Sequence, residues 1–298
     1  MNTRTYAHVD ELKGFSIKNC PSMPQPGSVL MCPPDYYDVS TPLNPYMAES
    51  VGKVDKARAR EQWGSLRTVF ERLGKPVRML TPAVGLEDMV FVTSQTLLGL
   101  TARMEKVCLL GHMRHPSRRG EVAHFDKWFQ ENGYRTVRFQ DPTLTFEGMS
   151  DSVWHPGKRL LWGGHGFRTD PEVYELVAGT FESPVILLKL VNERFYHLDT
   201  CFCPLGPEAV LIYPPAFSPE SLEIILRMFP VVLAADEREA ARMVCNSAIV
   251  DAHTAIVPKG VPNAVLHLKA LGMDVLEADV SEFVKSGGSV SCLKMMYF

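Results

Sequence analysis

The chain has 298 residues, 46% hydrophobic and 22% charged, with 31 Lys and Arg against 34 Asp and Glu for a formal net charge of -3. That composition is ordinary for a globular protein with ample length for a core, and the acidic balance without a Lys/Arg stripe excludes a nucleic-acid-backbone binder. No apolar run reaches the roughly 18 residues of a membrane span, the N-terminus lacks a signal-peptide core, and seven cysteines form no regular framework, so the expected setting is the cytoplasm.

Taken in chain order, short apolar strands alternate with amphipathic helices. The Pro-rich stretch Pro21–Pro34 reads as an extended lead into a first strand at Val29–Cys32. Lys53–Leu73 is the clearest helix, because Leu66, Val69, Phe70 and Leu73 share one face and Gly74 with Pro76 stops it. Strands are expected at Val77–Leu80, Met89–Thr93 and Val107–Leu110. Phe125, Trp128 and Phe129 mark a helix ending before Asn132-Gly133, followed by a strand at Thr136–Phe139. Pro156-Gly157-Lys158, between Val153-Trp154 and Leu160-Leu161-Trp162, reads as a hairpin turn. The second half gives helices at Pro171–Phe181, Pro219–Met228, Glu237–Met243 and Val261–Leu271, and strands at Val185–Leu190, Ala209–Tyr213, Val231–Ala234 and Ala248–Val250. Strands outnumber helices by more than simple βαβ alternation gives, which suits repeated ββαβ modules. No linker divides the chain, so one domain spans residues 1–298.

Three segments carry candidate chemistry. Cys292 follows Gly287-Gly288, and two glycines let the backbone turn sharply or approach a ligand closely, presenting the thiol to a pocket. Read alone, such a cysteine is more often a small buried hydrophobe. His197 lies in Phe195-Tyr196-His197-Leu198-Asp199-Thr200, with the Asp199 carboxylate two residues on and on the same side of an expected strand. Glu147 stands beside Gly148, with Asp151 close behind. Read singly, His197 is a core histidine, Glu147 a turn residue and Asp199 a cap. Together they are a thiol, an imidazole and carboxylates, the groups needed for covalent catalysis by a thiol. Cys201-Phe202-Cys203 lacks the second pair a zinc site needs, and His112, His115 and His124 lack metal-ligand spacing, so no metal or organic cofactor is expected.

The order Phe-Glu-Gly, His-Leu-Asp-Thr and Gly-Gly-x-x-x-Cys resembles the guanidino-group-modifying superfamily, which includes arginine deiminases, dimethylarginine dimethylaminohydrolases, arginine dihydrolases and amidinotransferases. Met31–Asp38 with Leu43-Asn44-Pro45-Tyr46-Met47 resembles the substrate-loop region of the dihydrolase and dimethylarginine-hydrolase branch. Asp88-Met89-Val90-Phe91 and Ser117-Arg118-Arg119-Gly120-Glu121 are similar to two further segments of that branch. The resemblance implies an α/β fold, a pentein propeller of five ββαβ modules around a central channel. It also implies a small guanidino substrate as the partner and allows a homo-oligomer.

By the same resemblance, Cys292 is the nucleophile that attacks the guanidinium carbon and His197 the acid and base that serves the leaving amine and then water. Glu147 orients the imidazole or binds guanidinium nitrogens, and Asp199 accepts guanidinium hydrogen bonds. Asp88 contacts the α-amino group and Arg168 the carboxylate, while Asn44, Phe91, Ser94, His112 and Asp151 complete the substrate contacts. Two positions depart from the pattern. Ser94 stands where relatives carry Asp or Asn against the guanidinium, and His112, with Arg114 nearby, stands where they place a carboxylate-gripping arginine. The expected activity is hydrolysis of a guanidino C–N bond of arginine or a substituted arginine. The alternatives are an amidinotransferase, or a degenerate relative that only binds small molecules.

Overall fold

The computed structural model describes residues 4–298. Its strands form five small mixed sheets with one recurring connectivity. In each, a central strand pairs antiparallel with one neighbour and parallel with the strand that follows a helix. Thr96–Leu100, Lys106–Leu110 and Arg135–Val137 make one sheet, crossed over by the helix Glu121–Glu131. Ser152–Trp154, Leu161–His165 and Val185–Lys189 make the next, with the helix Val173–Phe181, and Thr5–Tyr6 adds a parallel edge. Phe202–Pro204, Ala209–Ile212 and Val231–Ala234 follow with the helix Pro219–Met228. Ala248–Ile249, Thr254–Pro258 and Asp274–Ala278 follow with Pro262–Ala270.

The remaining sheet joins the two ends of the chain. Met295–Tyr297 pairs antiparallel with Ser28–Met31, which pairs parallel with Val77–Met79 after the helix Lys56–Arg72. Met295 lies opposite Leu30, so the segment that carries Cys292 is fixed to the first part of the chain by a strand ladder.

Local sequence accounts for these elements. The Asp55 side chain caps the helix Lys56–Arg72 by accepting the Ala57 and Arg58 amides at 3.1 and 3.0 Å. Gly74, at φ +71°, ends it, and the Lys75 amide reaches back to the Phe70 carbonyl at 3.0 Å. Ala59, Trp63, Leu66 and Phe70 form the buried face. Burial of each large apolar side chain of this kind contributes about 1.5–3 kcal/mol. The expected hairpin is present, with Ser152–Trp154 antiparallel to Leu161–His165.

Three expectations are corrected. Met89–Thr93 is not a strand: Glu87–Val90 forms a 3₁₀ turn, closed by the Phe91 amide donating to the Asp88 carbonyl at 2.9 Å, and the strand lies at Thr96–Leu100. A run whose side chains are buried on every side has no alternation to distinguish strand from turn. Glu237–Met243 shortens to Glu237–Ala240, with Met243 in the left-handed region at φ 61°. His197 does not sit on a strand but precedes the 3₁₀ turn Leu198–Thr200. Among the described residues, no helix is long and apolar enough to cross a membrane.

Candidate active site

Cys292 lines a pocket together with His197, Asp88, Ser94, Arg118 and Arg168. The pocket holds about 340 Å³ of empty space. The glycines before the cysteine are required by close approach. Gly287 has φ +75°, and a Cβ there would stand 2.8 Å from the Tyr196 hydroxyl. A Cβ at Gly288 would stand 2.5 Å from the Phe91 ring, which is itself held edge-on to Tyr37 and Phe283. Asn246 fastens the loop from the other side, its Oδ1 accepting the Ser289 and Cys292 amides at 2.9 and 3.1 Å. The thiol is thus presented by a backbone with little freedom to move. Its Sγ lies 3.5 Å from Asp199 Oδ2.

The second component is a buried imidazole–carboxylate pair. His197 Nε2 lies 2.6 Å from Glu147 Oε2, and neither side chain is more than 4% exposed. Glu147 also receives Arg168 Nη1 at 3.3 Å and, on Oε1, the Arg114 amide at 3.1 Å. Burial alone would raise the Glu147 pKa, but the His197 hydrogen bond and the Arg168 charge outweigh it and hold the carboxylate below its usual range. Glu147 is therefore an anion at neutral pH. Its contact engages Nε2 of the imidazole and fixes the ring's direction.

Asp88 and Asp199 are instead poised close to neutrality. Burial pushes each up to about 7, and one oxygen of each, Oδ1, has no hydrogen-bond partner among the described residues. A folded-state pKa above the unfolded value of ~4 means that these groups favour folding fully at low pH and lose that contribution as pH rises through about 7. Melting temperature is accordingly expected to fall between roughly pH 4 and 7 through these two groups, and Asp88→Asn with Asp199→Asn should flatten the slope. An unchanged slope in the double variant would contradict the assignment. For the thiol of Cys292, burial and then the Asp199 carboxylate raise the pKa, so it is protonated in the free protein.

The structure gathers most of the residues singled out from sequence, with differences in what they touch. Asn44 lines the pocket, but its atoms are engaged: Oδ1 caps the Pro45–Ala48 turn, and Nδ2 donates to Tyr196 Oη and the Ser286 carbonyl at 3.1 and 3.0 Å. Ser94 meets Ser150 Oγ at 2.9 Å. Arg168 stacks over Tyr196 at 4.5 Å and donates to the Leu43 carbonyl at 2.8 Å. Asp199 touches the thiol but does not line this pocket.

Asp151 and His112 lie outside the pocket lining. Asp151 accepts Thr169 Oγ1 at 2.7 Å and the Leu198 amide at 3.0 Å, which holds the turn after His197. His112 Nδ1 is 2.6 Å from the Leu144 carbonyl. The cation that does line the pocket there is Arg118, which its sequence context did not mark as a site residue. It is only 6% exposed. Glu121 draws it inward through a two-point contact at 3.0 and 2.9 Å, and the Arg-x-x-Glu spacing at a helix start was the available signal. Tyr196 and Asn246 were also missed. Among the described residues, no cluster of ligating side chains suits a metal ion.

No family model matches this sequence. An uncharacterized protein of Caenorhabditis elegans is 40% identical over 89% of this chain and 91% of its own length. The bifunctional arginine dihydrolase/ornithine cyclodeaminase ArgZ of Synechocystis is 36% identical over 90% of the chain, which spans only 37% of that protein. The N(G),N(G)-dimethylarginine dimethylaminohydrolase of Mycobacterium tuberculosis is 32% identical over 88% of the chain and 83% of its own length. The crystal structure of the N-terminal domain of ArgZ bound to product superposes with a TM-score of 0.86 at 34% identity, covering 91% of this chain and 97% of that domain. With that fold and those relatives over nearly its whole length, the chain belongs to the guanidino-group-modifying enzyme superfamily.

Proposed function

We propose that the protein is a hydrolase that cleaves a guanidino C–N bond of arginine or a substituted arginine through a covalent intermediate on Cys292. The observation that carries this reading is the convergence on one pocket of a thiol and an imidazole–carboxylate pair, beside two carboxylates that each keep an unpaired oxygen. Unpaired buried carboxylate oxygens are costly unless a donor arrives, and a planar cation with several N–H groups is such a donor. The activities of the relatives, arginine dihydrolase and dimethylarginine dimethylaminohydrolase, support the same chemistry. The five sheets of like connectivity support one domain with five modules arranged as a propeller. Seven unpaired thiols support a reducing compartment, the cytoplasm.

The geometry supports the following sequence of steps. Docking of the guanidinium beside Asp199, with the α-amino group at Asp88, brings both carboxylates fully to the anionic form, so protons leave as the substrate enters, and the positive charge stabilises the thiolate. Sγ attacks the central carbon and forms a C–S bond. With Nε2 engaged by Glu147, proton transfer falls to Nδ1 of His197, which protonates the departing amine as the C–N bond breaks. The S-alkylthiouronium then accepts water, deprotonated by the same imidazole, and collapse breaks the C–S bond to leave a ureido product and the free thiol. Arg118 and Arg168 supply positive charge for the substrate's carboxylate.

Ser94 decides how far the reaction goes. Its hydroxyl, shared with Ser150 and 3.5 Å from Arg118, offers less to a second hydrolysis than the amide or acid at this position in relatives. A single step from L-arginine, giving citrulline and ammonia, is the expected outcome, read by mass spectrometry after incubation with a panel of guanidino compounds with and without acceptor amines. Ser94→Asn is expected to raise the ratio of ornithine to citrulline. An amidino group transferred to an acceptor, or no turnover of any guanidino compound, would overturn the reading.

A further inference from the structure

The loop before the strand Ala248–Ile249 holds a fully buried amide side chain, Asn246. Besides the Ser289 and Cys292 amides that its Oδ1 accepts at 2.9 and 3.1 Å, its Nδ2 donates to the Asp199 carbonyl at 3.1 Å. The Asn246 carbonyl also accepts the Ser291 amide at 2.9 Å. One residue thus ties the turn that presents the thiol to the turn that presents the Asp199 carboxylate. Sγ and Asp199 Oδ2 stand 3.5 Å apart across that tie.

The tie is specific to an amide. A reversed side chain would set Nδ2–H against two N–H donors and turn an oxygen toward the Asp199 carbonyl, so the three partners fix its orientation. A carboxylate supplies the acceptor without the donor. The anchor is itself firm: the Asn246 amide donates to the Met243 carbonyl at 2.9 Å, Ser247 Oγ donates to the Val244 carbonyl at 2.6 Å, and Val244 and Cys245 are packed into the core. From the other side, the Cys292 carbonyl accepts the Val92 amide at 2.8 Å, so the main chain of the nucleophile is held at both ends.

We propose that Asn246 is a positioning residue for the covalent step, setting the separation of Cys292 Sγ and the Asp199 carboxylate so that a guanidinium docked on Asp199 presents its carbon to the sulfur. The guanidinium is planar and rigid, so any shift of carboxylate against sulfur moves its carbon off the line of attack. Misplacement by about 1 Å costs an aligned reaction roughly 10²-fold. Asn246 does not line the pocket and therefore acts through Cys292 and Asp199, which places its effect in kcat rather than in binding. Burial raises the pKa of both partners, and the Asn246 amide opposes that rise at each. The kinetic consequence rests on the hydrolase mechanism above, whereas the placement of the thiol does not.

The test compares Asn246→Asp and Asn246→Ser with Ser247→Ala, which loses a hydrogen bond of the same loop without touching Cys292 or Asp199. Asn246→Asp keeps an acceptor for both amides but removes the donor, and the neutral Asn246→Ser separates lost geometry from added charge. Alkylation of Cys292 by iodoacetamide is followed by peptide mapping, alongside melting curves, L-arginine turnover and calorimetric affinity. Each Asn246 variant is expected to slow Cys292 alkylation at least fivefold and to lower kcat by about 10²-fold, with L-arginine affinity within about threefold of wild type. Ser247→Ala should lower the melting temperature and leave both rates unchanged. Wild-type alkylation and kcat in either folded Asn246 variant, an affinity loss as large as the loss in kcat, or equal slowing in Ser247→Ala at a matched fall in melting temperature would each overturn the role. Should the wild-type protein hydrolyse no guanidino compound, the alkylation arm still decides the placement of the thiol, and only the kinetic arm falls with the hydrolase reading.

Discussion

Cys292→Ala is expected to abolish turnover of guanidino substrates, with kcat reduced by roughly 10⁴-fold or more because the covalent route is removed entirely. The remaining pocket holds no other thiol, and water would have to attack a carbon whose positive charge is delocalised over three nitrogens. Binding should survive, since Asp88, Arg118 and Arg168 keep their places in the pocket. The check is a pair of measurements on one sample, kcat by product assay and affinity for L-arginine by calorimetry. Cys292→Ser should fare little better, because a buried hydroxyl beside Asp199 is harder to ionise than the thiol that burial and the same carboxylate already hold protonated. A Cys292→Ala variant with wild-type kcat would remove the nucleophile from the account.

His197→Ala is expected to lower kcat by about 10²–10⁴-fold with a much smaller change in substrate affinity. Both proton transfers are lost, to the leaving amine and from water. The substitution also removes the hydrogen-bonded partner of Glu147, whose carboxylate is fully buried with Arg168 at 3.3 Å as its remaining charged contact. Loss of one member of such a buried pair destabilises by roughly 3–5 kcal/mol. Melting temperature must therefore be recorded alongside kinetics, and Glu147→Gln gives a second view of the pair. It leaves the imidazole in place, so its kcat should fall less than that of His197→Ala. A rise in KM with kcat intact would move His197 from proton transfer to substrate binding.

How much of this was readable from sequence differs by residue, for physical reasons. Cys292, His197 and Glu147 each sit in a short motif with a glycine or acid at fixed spacing, and the structure brings His197 and Cys292 to one pocket with Glu147 bonded to the imidazole. The helices Lys56–Arg72 and Pro219–Met228 were visible because one apolar face and clear caps define them. Thr254–Pro258 was not, since all five of its residues are buried and no alternation survives. Asp274–Ala278 was hidden for the opposite reason, as a largely exposed edge with two acids in five residues. The closing strand Met295–Tyr297 pairs with a segment over 260 positions away, and no local signal reports such a partner.

That two of the expected site residues fall outside the pocket lining has a similar origin. Asp151 and His112 lie near the pocket in sequence pattern, yet their hydrogen bonds go to Thr169, Leu198 and Leu144 rather than to a substrate. Arg118 shows the converse. A charge beside two other basic residues reads as surface until Glu121 is seen to draw it under the protein's own backbone. Asn246 is the least visible of all, because its role depends on amides of a loop more than forty residues away.

The central claim is that a guanidino carbon becomes bonded to Cys292 and waits there for His197 to activate water. Incubation of His197→Ala with L-arginine, followed by acid quench, intact-protein mass spectrometry and peptide mapping, tests it most directly. The account predicts an adduct of arginine less ammonia on the peptide containing Cys292, transient in the wild-type protein and, in the variant, formed more slowly and then persisting because water is no longer deprotonated. Turnover by the wild-type protein with no adduct at any time, or an adduct confined to one of the six other cysteines, would contradict it.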